Sequence, residues 1–518
     1  MESKKKIANK SFCPEGNPYF IPDNSDLKRE FAQLCKDCEN ARKAGSQITV
    51  VVGLGFVGSA VAAVLSGARS SGNVPTHMVI GLDLASAEAF WKIGKMNAGK
   101  APFESPDPEI SHLIAAGVKQ GNLVATATKD VLTLADTIVV DIHLDVVDIA
   151  DENPENIDIR IDGFRQTLVE IGSQMGEDAL VVLESTVPPG TTISIAKNAL
   201  EEARKARGLK GALLLGHAYE RVMPGSNYAK SIDQIWRTYS GINKMSRERT
   251  RIFLESFVNT ASFPLQELKS PTASELAKTL ENSYRAANIA LIHEWALLAE
   301  YLGVNLFEIV DSVRVRKGTH DNMRYPGFGV GGYCLTKDAL LAQWAATNLF
   351  GLDHRLTLTL QALQINYHMP SHSLDLVLDL SGGSIDGKRI SLLGIAYMPG
   401  VGDSRNSPAE YFADHAMSRG AKVIAHDPYI SRWEARPEIP LMKSFDDTLS
   451  EADCIVLAVR HPEYEGLCVE DFGEGEGRGI VDAWNVITDE LAAKLHSKGW
   501  RIKGVGKGHW GALNYQNG

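Results

Sequence analysis

A chain of 518 residues exceeds what one hydrophobic core usually organises, so two or three domains are expected. Hydrophobic residues make up 44% and charged residues 23%, a globular composition that excludes a disordered or fibrous protein. The net charge of −11 argues against a nucleic-acid partner, which needs a basic face, yet leaves room for a small phosphorylated ligand held by backbone amides and a few cations.

The N-terminal stretch MESKKKIANKSF is basic, but no apolar signal core follows it. No apolar run approaches the roughly 20 residues that span a bilayer, so a cytoplasmic protein with no membrane partner is expected. Six cysteines in so long a chain do not form a disulfide framework. Cys35 and Cys38 have metal-like spacing, but they lack a second pair and lie in a polar, helix-like stretch, so no metal is expected.

Residues 1–46 read as an N-terminal extension, helical around Leu27 to Ala44. QITVVVGLGFVGSAVAAVL follows: a β-branched run, a glycine turn, then small and apolar residues at helical spacing. HMVIGLD ends a second strand on Asp83, and DTIVVDI (136–142) and ALVVLES (179–185) are further buried-strand runs, each preceded by a helix-like segment. Alternation of this kind predicts a parallel sheet with helices on both faces over residues 47–268. Beyond Ser270 the chain changes character. From Ser274, a candidate N-cap, a single helix of about 28 residues is expected, since Ala, Leu, Glu and Lys dominate and no glycine intervenes before Gly303. Residues 269–372 read as a central helical region, and a helix of that length suits a dimer contact.

The segment 373–518 resembles the first domain again. GKRISLLGIAYMPG echoes SQITVVVGLGFVG, AKVIAHDPY ends on Asp427 as HMVIGLD ends on Asp83, and EADCIVLAV echoes LADTIVVDI. The expected fold is therefore α/β, with two Rossmann-like parallel-sheet domains joined by a long central helix.

Gly53-Leu-Gly55-Phe56-Val57-Gly58 follows a strand and opens a helix, and Asp83 ends the next strand. This is the dinucleotide fingerprint in its structural context. The glycines let backbone approach a pyrophosphate, and Asp83 can accept from ribose hydroxyls while repelling a 2′-phosphate, which favours NAD. The C-terminal copy, Gly394 to Gly400, has lost this glycine pattern. Elsewhere, PGFGVGGYCLTKD places four glycines just before Cys334, with Lys337 and Asp338 behind it. Glycine amides and the Lys337 cation would favour a nucleophilic thiolate; the alternative is an inert thiol beside a turn, the better reading for Cys454 inside its apolar strand. Lys278 and Asn282 stand one helical turn apart and suit a developing oxyanion, although a solvated face is the commoner fate of such a pair. Glu184, at the carboxyl edge of the first sheet, is a candidate general base.

Together these residues resemble the UDP-glucose/GDP-mannose dehydrogenase family, the nucleotide-sugar 6-dehydrogenases. The resemblance runs through GLGFVG (53–58), ESTVPPGT (184–191), ELAKTLEN (275–282), GFGVGGYCLTKD (327–338) and LLGIAYMPGVGDSRNSP (392–408). It implies a four-electron oxidation of a sugar C6 alcohol to the uronic acid, with NAD as acceptor. Cys334 would carry the thiohemiacetal and thioester, Lys278 and Asn282 would steady the oxygen, Asp338 would hold a water or Lys278, and Glu184 would help activate the hydrolytic water. The dinucleotide would also meet Ser185, Thr186, Lys337 and Arg405. The nucleotide sugar would meet Glu220, Arg221, Val222, Tyr325, Gly327, Phe328, Gly329, Gly331 and Gly332, with Arg316 and His320 competing with Arg314 for an arginine's place ahead of the cysteine loop. A homodimer or higher homo-oligomer is implied.

Departures from the family pattern are clear. DIHLDVVD (141–148) lacks the family's Thr-Pro turn, and Met398 replaces a lysine that contacts the diphosphate. HAYERVMPG (217–225) is closer to the segment of the UDP-N-acetylhexosamine branch than to that of the UDP-glucose branch. UDP-glucose oxidation and a catalytically weak NAD-binding regulatory homologue are the alternatives. A two-electron β-hydroxyacid dehydrogenase would share the Lys-x-x-x-Asn helix but not the cysteine loop.

Overall fold

The computed structural model describes residues 10–144, 146–147, 157–223, 225–450 and 452–515. The first nine residues, most of the basic N-terminal stretch, and parts of 141–148 therefore lie outside the described residues. The chain forms two compact regions. Of the described residues, the first comprises those up to 147, those from 157 to Thr279, and Leu341–His354, and the second comprises Leu280–Leu340 with those from Arg355 onward.

The first region opens with a short antiparallel hairpin, β1 (Lys10–Phe12) and β2 (Pro18–Phe20). A helix over Asn24–Lys43 follows, with Asp23 and Asp26 forming a reciprocal capping box at its start. Its Leu34 and Cys38 enter the hydrophobic core. Next come β3 (Gln47–Val52), β4 (His77–Leu82), β5 (Leu123–Thr126) and β6 (Thr137–Val140). The pair β7 (Val146–Val147) and β8 (Asp158–Ile159) stands apart, and β9 (Leu180–Leu183), β10 (Leu214–His217), β11 (Thr238–Gly241) and β12 (Gln266–Glu267) complete the region. The sheet order is β12-β11-β10-β9-β6-β3-β4-β5, with β10 and β11 as its antiparallel pair. From β5 to β10 this is the 3-2-1-4-5-6 order of a doubly wound dinucleotide fold. The buried β-branched runs Ile48–Val52 and Ile138–Val140 explain why the middle strands are covered on both faces.

The second region holds β13 (Arg389–Leu393), β14 (Lys422–His426), β15 (Leu441–Met442), β16 (Cys454–Leu457), β17 (Gly479–Asp482) and β18 (Arg501–Gly504). Their order, β15-β14-β13-β16-β17-β18, repeats the first sheet's logic with every pair parallel. The duplication extends to individual hydrogen bonds. Asp136 accepts from the Ile48 amide at 2.8 Å, and Asp453 accepts from the Arg389 amide at 2.8 Å, so each acid anchors the start of its region's central strand. At the other end, Asp83 accepts from Leu54, while Asp427 accepts from Ile395 and Ala396.

The long helix runs Pro271–Tyr301, three residues earlier than the Ser274 start read from the sequence. Pro271 fits the first helical position, where an amide would have no partner, and the Ser270 hydroxyl accepts from Ala273. Ser274 is inside the helix, where its Oγ meets Pro271 O, His217 Nδ1 and Ser240 Oγ.

Asp453→Ala removes the acceptor for the Arg389 amide and should lower the stability of the second region by about 1 kcal/mol, read from the midpoint of its urea unfolding curve.

Candidate active site

The glycine turn of the first region is shaped for a dinucleotide. Gly53 has φ +99°, and a Cβ there would lie 2.3 Å from the Asp141 carbonyl oxygen. A Cβ on Gly58 would lie 2.0 Å from the Gly53 oxygen, so the first helix can press onto the strand only without one. Gly55 faces open space and caps the Phe56–Gly67 helix with extended backbone, leaving helix-start amides for an anion. Asp83 is oriented by three donors. Its Oδ1 accepts from Leu84 N at 2.8 Å, and its Oδ2 accepts from Leu54 N at 3.1 Å and Lys92 Nζ at 3.2 Å. These features fit NAD, which supplies a hydride acceptor when bound.

Beside the turn lies a buried ionic cluster. Glu184 pairs with Arg237, both almost fully enclosed, and Arg237 also donates to Ala218 O. Lys278 Nζ donates to the Glu220 carbonyl at 2.9 Å and to its carboxylate at 3.1 Å, while Val222 N donates to the other carboxylate oxygen. Burial raises Glu184, and Arg237 opposes it. Burial works against the Glu220 carboxylate too, but Lys278, the Val222 amide and Arg237 together outweigh it and hold the group below its ordinary range. Asp141 has no such partner. Burial, then Glu184 and Glu220, hold it well above the carboxylate range, and its Oδ2 is buried with no hydrogen-bond partner among the described residues. His217 is pushed down to about 3 by burial and by Lys278 and Arg237, so it is neutral.

The Pro-Pro-Gly turn after Glu184 is tied to the long helix by Glu275. This carboxylate accepts from Gly190 N at 2.6 Å, Thr192 N at 2.7 Å and Thr192 Oγ1 at 2.6 Å. Ser185 Oγ donates to Val140 O at 3.2 Å and accepts from Ile142 N, linking two strand ends. Thr186 stands next on that turn. Arg221 lies over the Tyr219 ring and donates to Trp236 O.

In the second region, Cys334 is exposed in the first turn of the Tyr333–Asn348 helix, where free amides favour negative charge. Asn282 Nδ2 donates to Asp338 Oδ2 at 2.6 Å, and Lys337 Nζ lies 3.6 Å from Asp338 Oδ1. These three residues are nearly enclosed. The loop glycines serve packing within this region. A Cβ on Gly329 would meet Pro408 at 2.5 Å, one on Gly331 would meet Asn406 O at 2.6 Å, and one on Gly332 would meet the Tyr397 ring at 3.0 Å. Two motifs far apart in sequence, GFGVGGYC and AYMPGVGDSRNSP, therefore interlock. Gly327 lies at ordinary contact distance from Trp484, and Phe328 is buried against Phe412. Arg405 grips Asp403 at 2.6 Å and lies over Tyr333, whose next residue is Cys334. Tyr325 donates to Asp311 and stacks under Arg314, whose guanidinium donates to Met323 O. Arg316 and His320 sit on an exposed turn nearby, with His320 Nδ1 against Thr319 Oγ1.

The first region thus gathers Lys278, Glu184, Glu220 and the glycine turn, and the second gathers Asn282, Asp338, Lys337, Cys334 and Arg405. Sequence reasoning missed Arg237, Asp141, Glu275 and Lys92. Glu275 stood inside the quoted ELAKTLEN motif, and Asp141 at the end of a strand was visible; Arg237 and Lys92 carried no local signal.

Gly58→Ala should weaken NAD binding at least about tenfold, measured by calorimetry, since its methyl group meets Gly53 O. Glu275 is raised to about 7 by burial, against its hydrogen bonds from Thr192 and Gly190. With a folded pKa above the unfolded one, its contribution is full below about pH 4.5 and lost as pH rises toward 7, by at most roughly 1.4 kcal/mol per pH unit. Thermal melts of the wild type and Glu275→Gln across that window should show this slope only in the wild type.

Family models match three successive segments. The NAD binding domain of the UDP-glucose/GDP-mannose dehydrogenase family covers residues 46–247, its central domain 272–368, and its UDP binding domain 391–489. The chain is 30% identical to a UDP-N-acetyl-D-mannosamine dehydrogenase of Pyrococcus horikoshii over 88% of this chain and 99% of that one. A solved structure of the UDP-D-ManNAc dehydrogenase from that organism aligns with TM-score 0.74 at 26% identity, covering 89% of this chain and 100% of that one. A structure of an NDP-N-acetyl-D-galactosaminuronic acid dehydrogenase from Methanosarcina mazei Go1 aligns with TM-score 0.73 at 29% identity, over 92% and 99% of the two chains. With the motifs, the doubled sheet and these matches in agreement, the chain belongs to the UDP-glucose/GDP-mannose dehydrogenase family.

Proposed function

We propose that the protein oxidises the C6 hydroxyl of a UDP-N-acetylhexosamine to the uronic acid, with UDP-N-acetyl-D-mannosamine the first substrate to test. The relatives named for that sugar and the HAYERVMPG segment support the choice. The observation that carries the reaction is exposed Cys334 at a helix start, one turn before the Asp338 that meets Asn282; Cys468, also exposed at a helix start, stands instead against Glu470 and Asp471, which raise its thiol. NAD supplies a two-electron hydride acceptor, used twice per sugar.

In the proposed sequence the C6 alcohol loses a hydride and a proton to give the aldehyde. Cys334 Sγ, as thiolate, forms a bond to the aldehyde carbon, and the carbonyl π pair moves to oxygen. Lys278 and Asn282 steady that oxygen, as the family resemblance implies. Loss of a second hydride from the same carbon leaves a thioester. Water then adds, the C–S bond breaks, and the thiolate departs. The net reaction consumes one alcohol, two NAD and one water, and yields one carboxylate, two NADH and three protons. Covalent attachment keeps the aldehyde in place between the two oxidations. Asp338 orients Asn282 through their hydrogen bond, and Arg237 holds Glu184 in place beside the water step.

A cytoplasmic homodimer is part of the same reading. Leu280, Trp295, Leu298 and Tyr301 of the long helix are exposed apolar residues that a second copy would cover. Among the described residues no helix is long and apolar enough to cross a membrane.

With sugar limiting and NAD in excess, the wild type should release about two NADH per UDP-N-acetylmannosamine, and Cys334→Ser should lose or stall this. UDP-N-acetylgalactosamine, UDP-N-acetylglucosamine and UDP-glucose complete the panel. One NADH per sugar, unaffected by Cys334→Ser, would overturn the thioester route.

A further inference from the structure

The segment 10–43 precedes the stretch matched to the family's NAD binding domain, yet it is built into the first region. The helix over Phe90–Asn97, which follows Asp83, has Ala89 at its N-cap, a residue with no side-chain acceptor; Phe90 N bonds Ser86 O and Lys92 N bonds Ala89 O, which leaves the Trp91 amide to be capped. The hairpin supplies the acceptor. Ser11, fully buried, accepts from Trp91 N at 3.0 Å and donates through its Oγ to Ala87 O at 2.6 Å. One hydroxyl thus caps the helix and ties down the turn that leads into it. The Tyr19 ring lies on Gly94, where a Cβ would approach within 2.0 Å, and Glu15 pairs with Lys95 at 2.5 Å. The hairpin therefore grips this helix at three successive positions along its length.

The helix residue next to the capped amide is Lys92, the one that pairs with Asp83. A carboxylate offers about four lone-pair sites, and Leu84, Leu54 and Lys92 fill three. The fourth, on Oδ1, is left for a ribose hydroxyl, and Lys92 on Oδ2 reinforces the two backbone amides that set its direction.

We propose that the N-terminal hairpin is a positioning element for the adenosine end of the cofactor site, acting through Ser11, the helix start it caps, and Lys92 on Asp83. The proposal rests on the reading that the glycine turn binds NAD. Ser11 and Lys92 are positioning residues, because neither needs to touch the reacting atoms.

The test uses the full chain and ADP-ribose, which carries the adenosine and both phosphates without the nicotinamide. Calorimetry should show Ser11→Ala and Lys92→Met each binding ADP-ribose about three- to tenfold more weakly, a loss of about 0.7–1.4 kcal/mol. The double variant should be no weaker than Lys92→Met alone, because the two act in one chain of contacts. In turnover, Ser11→Ala should raise KM for NAD while keeping kcat at saturating NAD. Glu15→Gln, an exposed change that leaves the core intact, should give a smaller loss in the same direction. Unchanged ADP-ribose affinity in Ser11→Ala and Glu15→Gln, or losses that multiply in the double variant, would overturn the proposal. Failure of the wild type to bind ADP-ribose would instead overturn the NAD reading beneath it.

Discussion

An acid at the end of the second strand of each sheet, hydrogen-bonded to the turn that leaves the first strand, sets what each half of this protein can hold. Asp83 and Asp427 occupy the same topological place and perform the same backbone task. Around them the two copies diverge. Asp83 keeps one acceptor position toward the glycine turn, where helix-start amides wait for phosphate. Asp427 is closed over: its Oδ2 takes two backbone amides and lies 3.1 Å from His461 Nε2, and its Oδ1 takes Tyr429 N. Its side chain is fully buried, which puts it out of reach of a ribose diol. One ancestral arrangement thus serves as a dinucleotide site in the first sheet and as a structural tie in the second.

The tie has a consequence for the turn it supports. His461 Nδ1 accepts from Gly400 N at 3.2 Å, so the loop carrying Met398 is anchored through the same imidazole that meets Asp427. That loop continues into Asn406 and Pro408, which occupy the space beside Gly329 and Gly331. The cysteine loop is therefore positioned by a path of contacts that starts at the end of β14. Gly329, Gly331 and Gly332 are required by this close packing, a constraint that acts on backbone volume.

Much of this was legible in the sequence because it depends on local spacing. Strand runs such as ITVVV and TIVV, the fingerprint glycines, and the echo between LADTIVV and EADCIVL all place elements within a few residues of where they fold. The start of the long helix was misplaced because Ser274 resembles a cap, whereas Pro271 with Ser270 does the work. Contacts across long stretches of chain were not legible. Nothing near Arg237 signals Glu184, and nothing near Ala89 signals that Ser11 will cap its helix. Those pairings are settled by tertiary packing, which periodicity does not encode. The glycine loop shows the reverse case: its motif was conspicuous, but the partners that require it lie some seventy residues further along the chain.

The ionic cluster also explains how an acidic chain can present an anion site. Three carboxyl groups, Asp141, Glu184 and Glu220, share the interior with two cations, Arg237 and Lys278. Each cation is committed by direct contact, Arg237 to Glu184 and Lys278 to Glu220. The third carboxyl has no cation to balance it, and a buried unpaired carboxylate is far costlier than a buried acid. Burial and the negative charges of Glu184 and Glu220 favour the protonated form of Asp141, the form in which the cluster carries no net charge. Asp141 is also the group whose oxygen lies 3.2 Å from where a Gly58 Cβ would sit, so it is the member nearest the turn. A diphosphate approaching that turn meets helix-start amides backed by a neutral acid instead of by a net negative charge.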